Sequence, residues 1–376
     1  MRTQRLAVSV ALVAMGGCTI ESPLDPASIS GDITDFFNQV AREIENAVKN
    51  PLDQKLYPTL LGGDSESIYY ATNLGDIRVT FDGPSNDWVF PGIVGPSNLY
   101  VYQGGERRLA RPLVPAGALS RMAFDGDSLA FVLSRNIGTP EFAESVIVSR
   151  AAFANLTLLD APLADGAFVT RLAISGERVA VLLDGASDAA ADRVRLFDLR
   201  DPGAPDEFAA GRIGGLVLGG DRMAYLADDA RIVLVELVIG STVEIPAAGA
   251  LDLTLANNHV VWTVAGSSGS SAVYAYSIPD GVTRIWADAV PGRLAGATDD
   301  HFITETTEIG SNGRTFRVVV RRYEVAGGSR ILADFRDDGL AGQTMVLGNR
   351  AVFVNADGKI VVVPFDGSGR FNFRPY

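Results

Sequence analysis

Two histidines, one cysteine and a scatter of aspartate pairs are the residues of this chain that could do chemistry. His259 and His301 titrate near neutrality without a large shift, so they are the natural candidates for a base or a ligand. Each stands directly after a turn, in Asn257-Asn258-His259-Val260-Val261 and in Asp299-Asp300-His301-Phe302-Ile303. A metal pair is one reading of them, and equivalent positions in two consecutive repeats is the simpler one. The pairs Asp125/Asp127, Asp228/Asp229, Asp299/Asp300 and Asp337/Asp338 offer the oxygens that calcium takes, but none has calcium-loop spacing and aspartate is a common turn former. The serines of Gly266-Ser267-Ser268-Gly269 lie in a flexible tip rather than a strand-to-helix elbow, and Gly214-Gly215 and Gly327-Gly328 lack the following Lys-Ser/Thr of a phosphate-binding loop. No catalytic residue is assigned, and neither a metal nor a cofactor is expected.

The elements that would position these residues are announced by a recurring corner. In Leu218-Gly219-Gly220-Asp221-Arg222-Met223-Ala224-Tyr225 a glycine takes positive φ and an aspartate turns the chain between apolar runs. Related corners begin at positions 63, 126, 176, 220, 257, 299 and 348, in steps of 63, 50, 44, 37, 42 and 49 residues. After each corner comes an apolar strand and then a further strand pair, as in Arg231-Ile232-Val233-Leu234-Val235 and Val282-Thr283-Arg284-Ile285-Trp286. A period in the forties with four strands per repeat is the spacing of propeller blades. The fold expected is therefore all-β, a single propeller over 57–376 with seven blades of four antiparallel strands, six or eight staying open. The long first step predicts an insertion between Asp82-Gly83-Pro84 and Gly95-Pro96. Residues Phe371-Asn372-Phe373 could complete the last blade locally, or residues near Tyr57 to Leu61 could lend it a strand.

Composition excludes one class of partner. Asp and Glu outnumber Lys and Arg by 45 to 32, and the net charge of -13 repels nucleic-acid phosphates unless a basic patch is strongly segregated. The densest clusters, Arg107-Arg108 with Arg111 and Arg321-Arg322, sit in strand-like segments and read as solvated outer faces.

Cys18 is the one cysteine, so no disulfide can form within the chain. Before it, Arg2 and Arg5 precede an apolar stretch from Leu6 to Met15 that is too short to span a bilayer, which is the pattern of a signal peptide over 1–17. Met15-Gly16-Gly17-Cys18 resembles the lipobox of bacterial lipoproteins, with Met15 where leucine is usual. The resemblance implies that Cys18 becomes the lipidated N-terminus, and Thr19 after it implies the outer membrane where there is one. Residues 18–31 then form a tether. Over 32–50 the apolar residues Ile33, Phe36, Phe37, Val40, Ile44, Ala47 and Val48 fall at helical spacing between an Asp32 cap and Asn50-Pro51, which predicts one short amphipathic helix.

The repeats resemble, in corner and strand pattern, the WD40-like, YVTN and TolB-type bacterial propellers. No Trp-Asp dipeptide ends a strand and no Gly-His signature is present, so no functional residue is carried over from them. The expectation is an envelope lipoprotein, held to the membrane by its lipid, whose propeller face binds a protein or a small ligand without catalysis. The rival is a hydrolase or lyase with acids and histidines gathered at the central channel.

Overall fold

All seven corners join the first and second strands of seven separate four-stranded sheets. The computed structural model describes residues 58–374, apart from 73–96, 115–121, 127, 136–142, 151–154, 160–167, 185–191, 209–214, 229, 267–269, 310–315, 338–343 and 367. The signal peptide, Cys18, the tether and the predicted helix over 32–50 lie outside those residues. The sheets are antiparallel and each uses four strands consecutive in sequence, which makes a seven-bladed propeller. Blade 1 begins at Pro58, blade 2 at Met122, blade 3 at Phe168, blade 4 at Leu216, blade 5 at Ala250, blade 6 at Arg293 and blade 7 at Met345.

The second strand of each blade explains why the sequence reads as unbroken apolar runs. In Arg178–Asp184, Val179, Val181 and Leu183 pack toward blade 2, whereas Ala180 and Leu182 pack toward blade 4. In Arg222–Asp228, Met223, Tyr225 and Ala227 face blade 3, and Ala224 and Leu226 face blade 5. A strand buried on both faces has no polar side to show, so period-two alternation is replaced by a continuous apolar stretch. The buried residues fall into seven clusters, one at each junction between neighbouring blades. A single blade could not hide both of its faces; the ring does it.

Closure follows the local alternative. Pro58–Gly63 pairs with Ser67–Thr72 inside blade 1, and Phe371–Phe373 pairs with Ile360, Val361 and Val362 inside blade 7. Among the described residues no strand is exchanged, and the junction between blades 7 and 1 is held by side chains. Leu60, Ile68 and Tyr70 of blade 1 pack with Leu347, Val352, Val354, Ile360 and Val362 of blade 7. Tyr102 stacks on Phe373 with centroids 4.0 Å apart.

The two ends of the propeller differ. At the corner end lie the connections between first and second strands and between third and fourth, and among the described residues these are short turns such as Gly104-Gly105 and Leu237 to Gly240. At the opposite, loop end lie the connections between second and third strands and from blade to blade. The chain leaves blade 1 at Thr72 and re-enters it at Ser97, and the expected insertion between Asp82 and Pro96 lies outside the described residues.

Candidate functional site

His259 and His301 occupy the same place in blades 5 and 6, the first residue of the second strand, as repeat equivalence predicts. Blades 3, 4 and 7 carry Arg178, Arg222 and Arg350 there. From this position a side chain lies beside the next blade's corner, and four of the five reach it by hydrogen bonds. Arg178 donates to the Asp221 carboxylate at 3.2 Å, Arg222 to the Asn257 carbonyl at 2.7 Å, and Arg350 to the Asp64 and Ser67 carbonyls at 3.1 and 3.4 Å.

His259 makes the most elaborate of these links. Its Nδ1 lies 3.0 Å from Oδ1 of Asp299, which also accepts the backbone N–H of Asn258 at 2.8 Å, while Asp299 Oδ2 accepts the Asn258 amide at 2.9 Å. Trp286 meets the imidazole edge-on at 5.1 Å. In blade 7 the corresponding corner is Gly348-Asn349, without a carboxylate, and His301 instead lays its ring against Phe365 at 5.4 Å.

Every remaining junction is bridged at the same end. The Tyr69 hydroxyl donates to the Gly126 carbonyl at 2.7 Å and the Gly176 N–H donates to the Asp125 carboxylate, while the Gly220 N–H adds a second link between blades 3 and 4 by donating to Ser175 Oγ at 2.9 Å. Arg322 donates to the Phe365 carbonyl at 3.2 Å. The corners thus form a belt of hydrogen bonds round the ring. This corrects one expectation: Arg322 is not part of a solvated outer face, because its side chain is 14% exposed and crosses to blade 7. Arg107 and Arg108, on the outermost strand of blade 1, are exposed as expected.

The loop end has its own fasteners, which the sequence reading missed. The buried Glu144 accepts the N–H of Val169 at 2.7 Å, Asp252 accepts that of Leu294 at 3.1 Å, and the buried Glu305 accepts that of Thr344 at 3.0 Å. Each carboxylate caps the inner strand of the following blade, or the residue just before it. Thr263 donates to Asp252 at 3.0 Å, and Arg293 lies 3.6 Å from Glu305. The one available signal was an acidic residue inside an apolar strand, as in Ile303-Thr304-Glu305.

Arg317 bridges Glu308 at 3.2 Å and Asp334 at 2.9 Å, and its hydrogen bond holds the Asp334 carboxyl below the usual carboxylate range. Burial pushes the Tyr70 phenol up and the Arg350 guanidinium down. A shallow depression of about 600 Å³ at the corner end of blade 1 is lined by Glu66, Gln103, Gly104, Glu106 and Arg108.

Taken together, the two histidines are engaged at separate blade junctions. Among the described residues no three His, Cys, Asp or Glu side chains are grouped so as to hold a metal ion.

Comparison with known proteins bears on the fold. No family model and no curated protein matches the chain. The chain is similar in structure to the β-propeller domain of the trilobed protease from Pyrococcus furiosus, described as having an open velcro topology, with a TM-score of 0.55, 11% identity, 84% of this chain covered and 95% of that one. It is similar to oligogalacturonate lyase in complex with manganese, with a TM-score of 0.55, 10% identity and coverage of 80% and 87%. It is also similar to a prolyl endopeptidase, with a TM-score of 0.50, 12% identity and 92% of this chain covered, and it spans 61% of that longer protein. At such identities the likeness is one of fold, and the class it defines is the β-propeller.

Proposed function

We propose that the protein is a lipid-anchored component of a bacterial cell envelope whose propeller is a binding scaffold, with its partner or ligand engaged at the loop end. The observation that carries this reading is the contrast between the two ends. Short turns tie the corner end into a closed belt, so its side chains are committed to holding the ring. The connections between strands that end there are the longer ones in sequence, 73–96 among them, and long connections on a rigid frame are where binding function resides. The lipobox-like Cys18 supplies the anchor, to the outer membrane where there is one, with the body in the periplasm or at the cell surface. An enzyme with acids and histidines converging on the channel is the less supported reading, since His259 and His301 serve blade junctions instead.

Two measurements test it. Labelling with a palmitate analogue is expected in the unaltered protein and absent in Cys18→Ala; equal labelling removes the anchor. Replacing 73–96 by a short turn is expected to abolish cross-linking to envelope partners, whereas shortening the Leu237 to Gly240 hairpin leaves it intact. Identical partner profiles for the two variants would refute binding at the loop end.

A further inference from the structure

The blades splay toward the rim and leave apolar residues uncovered in the grooves between them, and strand register shows which way each one points. Leu109 pairs with Tyr100, which packs at the junction of blades 7 and 1, so Leu109 faces blade 7. Phe371 pairs with Val362 of the same cluster and faces blade 1. The two are 52% and 37% exposed and oppose each other across the outer edge of the junction, beside the stacked Tyr102 and Phe373. By the same argument Val243 and Ile285 face each other between blades 4 and 5, and Val282 and Ile331 between blades 5 and 6.

The groove at the 7–1 junction differs from these in two ways. It is the one junction that no chain connection crosses, since blade 1 opens the propeller and blade 7 ends it. It is also the one within reach of the apolar stripe of 32–50. Eight residue steps separate Asn50 from Pro58, and at about 3.3–3.6 Å each they span at most about 29 Å. From the first to the fourth strand of a blade is three strand spacings, about 14 Å. The grooves flanking blade 5 lie across the ring, beyond two blade widths and the channel.

We propose that residues 32–50 dock as an amphipathic helix in the groove between blades 7 and 1 and clamp the ring there. A helix of that length is about 28 Å long, close to the roughly 31 Å of the nine-residue outer strand Glu106–Val114. Phe36, Phe37, Val40 and Ile44 meet Leu109 and Phe371. Glu43, two turns after Phe36 at the margin of the stripe, complements the exposed Arg107, which lies over Tyr100 at 5.7 Å. The inference stands apart from lipidation and from binding at the loop end.

The test uses the full chain with Cys18→Ser, so that introduced thiols are the only ones and no membrane is needed. Phe37→Cys paired with Phe371→Cys is expected to form a disulfide at least tenfold faster than Phe37→Cys paired with Ile331→Cys. Equal rates, or preference for Ile331→Cys, would overturn the site. So would maleimide labelling of the single variant Phe37→Cys as fast as a free peptide thiol. In a second measurement, Leu109→Asp alters an exposed lip and is expected to raise amide exchange over 32–50 at least tenfold without changing exchange in blades 3 to 5. Unchanged exchange over 32–50 also overturns the proposal.

Discussion

Asp299 shows how one side chain acquires a role from its position in the ring. It looks in sequence like half of an acidic pair, and in the fold it receives a backbone N–H, a side-chain amide and an imidazole nitrogen from the preceding blade. Its donors, on the exposed Asn258 and the half-buried His259, can turn to water once it is removed, so the loss is that of ordinary hydrogen bonds, about 0.5–1.5 kcal/mol. Asp299→Ala is therefore expected to lower unfolding stability by about that amount in urea titration, whereas Asp300→Ala at the exposed neighbouring position changes it by less than about 0.5 kcal/mol. Asp334 gives a pH signature. Its folded pKa is depressed below the ordinary 3.8 by the Arg317 hydrogen bond, so its contribution is fully present above that value and is lost as pH falls through the lower folded value. Asp334→Asn should lose less stability than the unaltered protein between pH 5 and pH 3, read as the shift of the urea midpoint; an identical shift in both would show that this bridge does not act.

At the scale of the element, the second strand carries both junctions of its blade. Its apolar residues alternate between two clusters, and its end at the corner belt presents the residue that reaches the next blade. Glu305 lies on the same kind of strand toward its loop end, 2% exposed by side chain, and holds the Thr344 N–H. Truncation there would leave a buried donor without its acceptor and enlarge a void. Glu305→Ala is expected to cost about 2–4 kcal/mol, with Glu305→Gln recovering part of it because the amide oxygen can still accept. Equilibrium denaturation of the three proteins separates the outcomes, and equal loss in both variants would mean that charge rather than hydrogen bonding matters.

For the whole molecule the decisive place is the junction between blades 7 and 1. Gly220 and Gly348 have the same φ of +56°, yet a Cβ at Gly220 would meet nothing within 4 Å whereas one at Gly348 would lie 2.7 Å from the Ser65 Cβ. Gly220→Ala therefore isolates the left-handed backbone penalty, about 1–2 kcal/mol. Gly348→Ala adds a steric wedge at the junction that holds the ring shut, and it is expected to lower the thermal midpoint clearly further. Similar midpoints would show that the junction yields without cost.

Much of the architecture was legible because it is local. Gly176-Glu177, Gly220-Asp221 and their relatives turn the chain by their own φ preferences, and four strands between corners follow from alternation and length. The repeat itself and the position of each histidine at the start of a second strand were readable in that way, whereas seven blades rather than six or eight, and Phe371–Phe373 as the fourth strand of the last, were settled only by the sheets. The partners of those residues were not, because they come from the next repeat. His259 finds Asp299 40 positions later, and Arg350 finds Asp64 286 positions earlier. Ring closure was undecided for the same reason, since both alternatives satisfy the same local pairing and differ only in which strand edge Pro58–Gly63 meets. The sequence by itself determined the turns and the repeating strands between them. Only the tertiary structure decided that the candidate chemical groups fasten blades together, because a side chain's role depends on what the ring brings beside it.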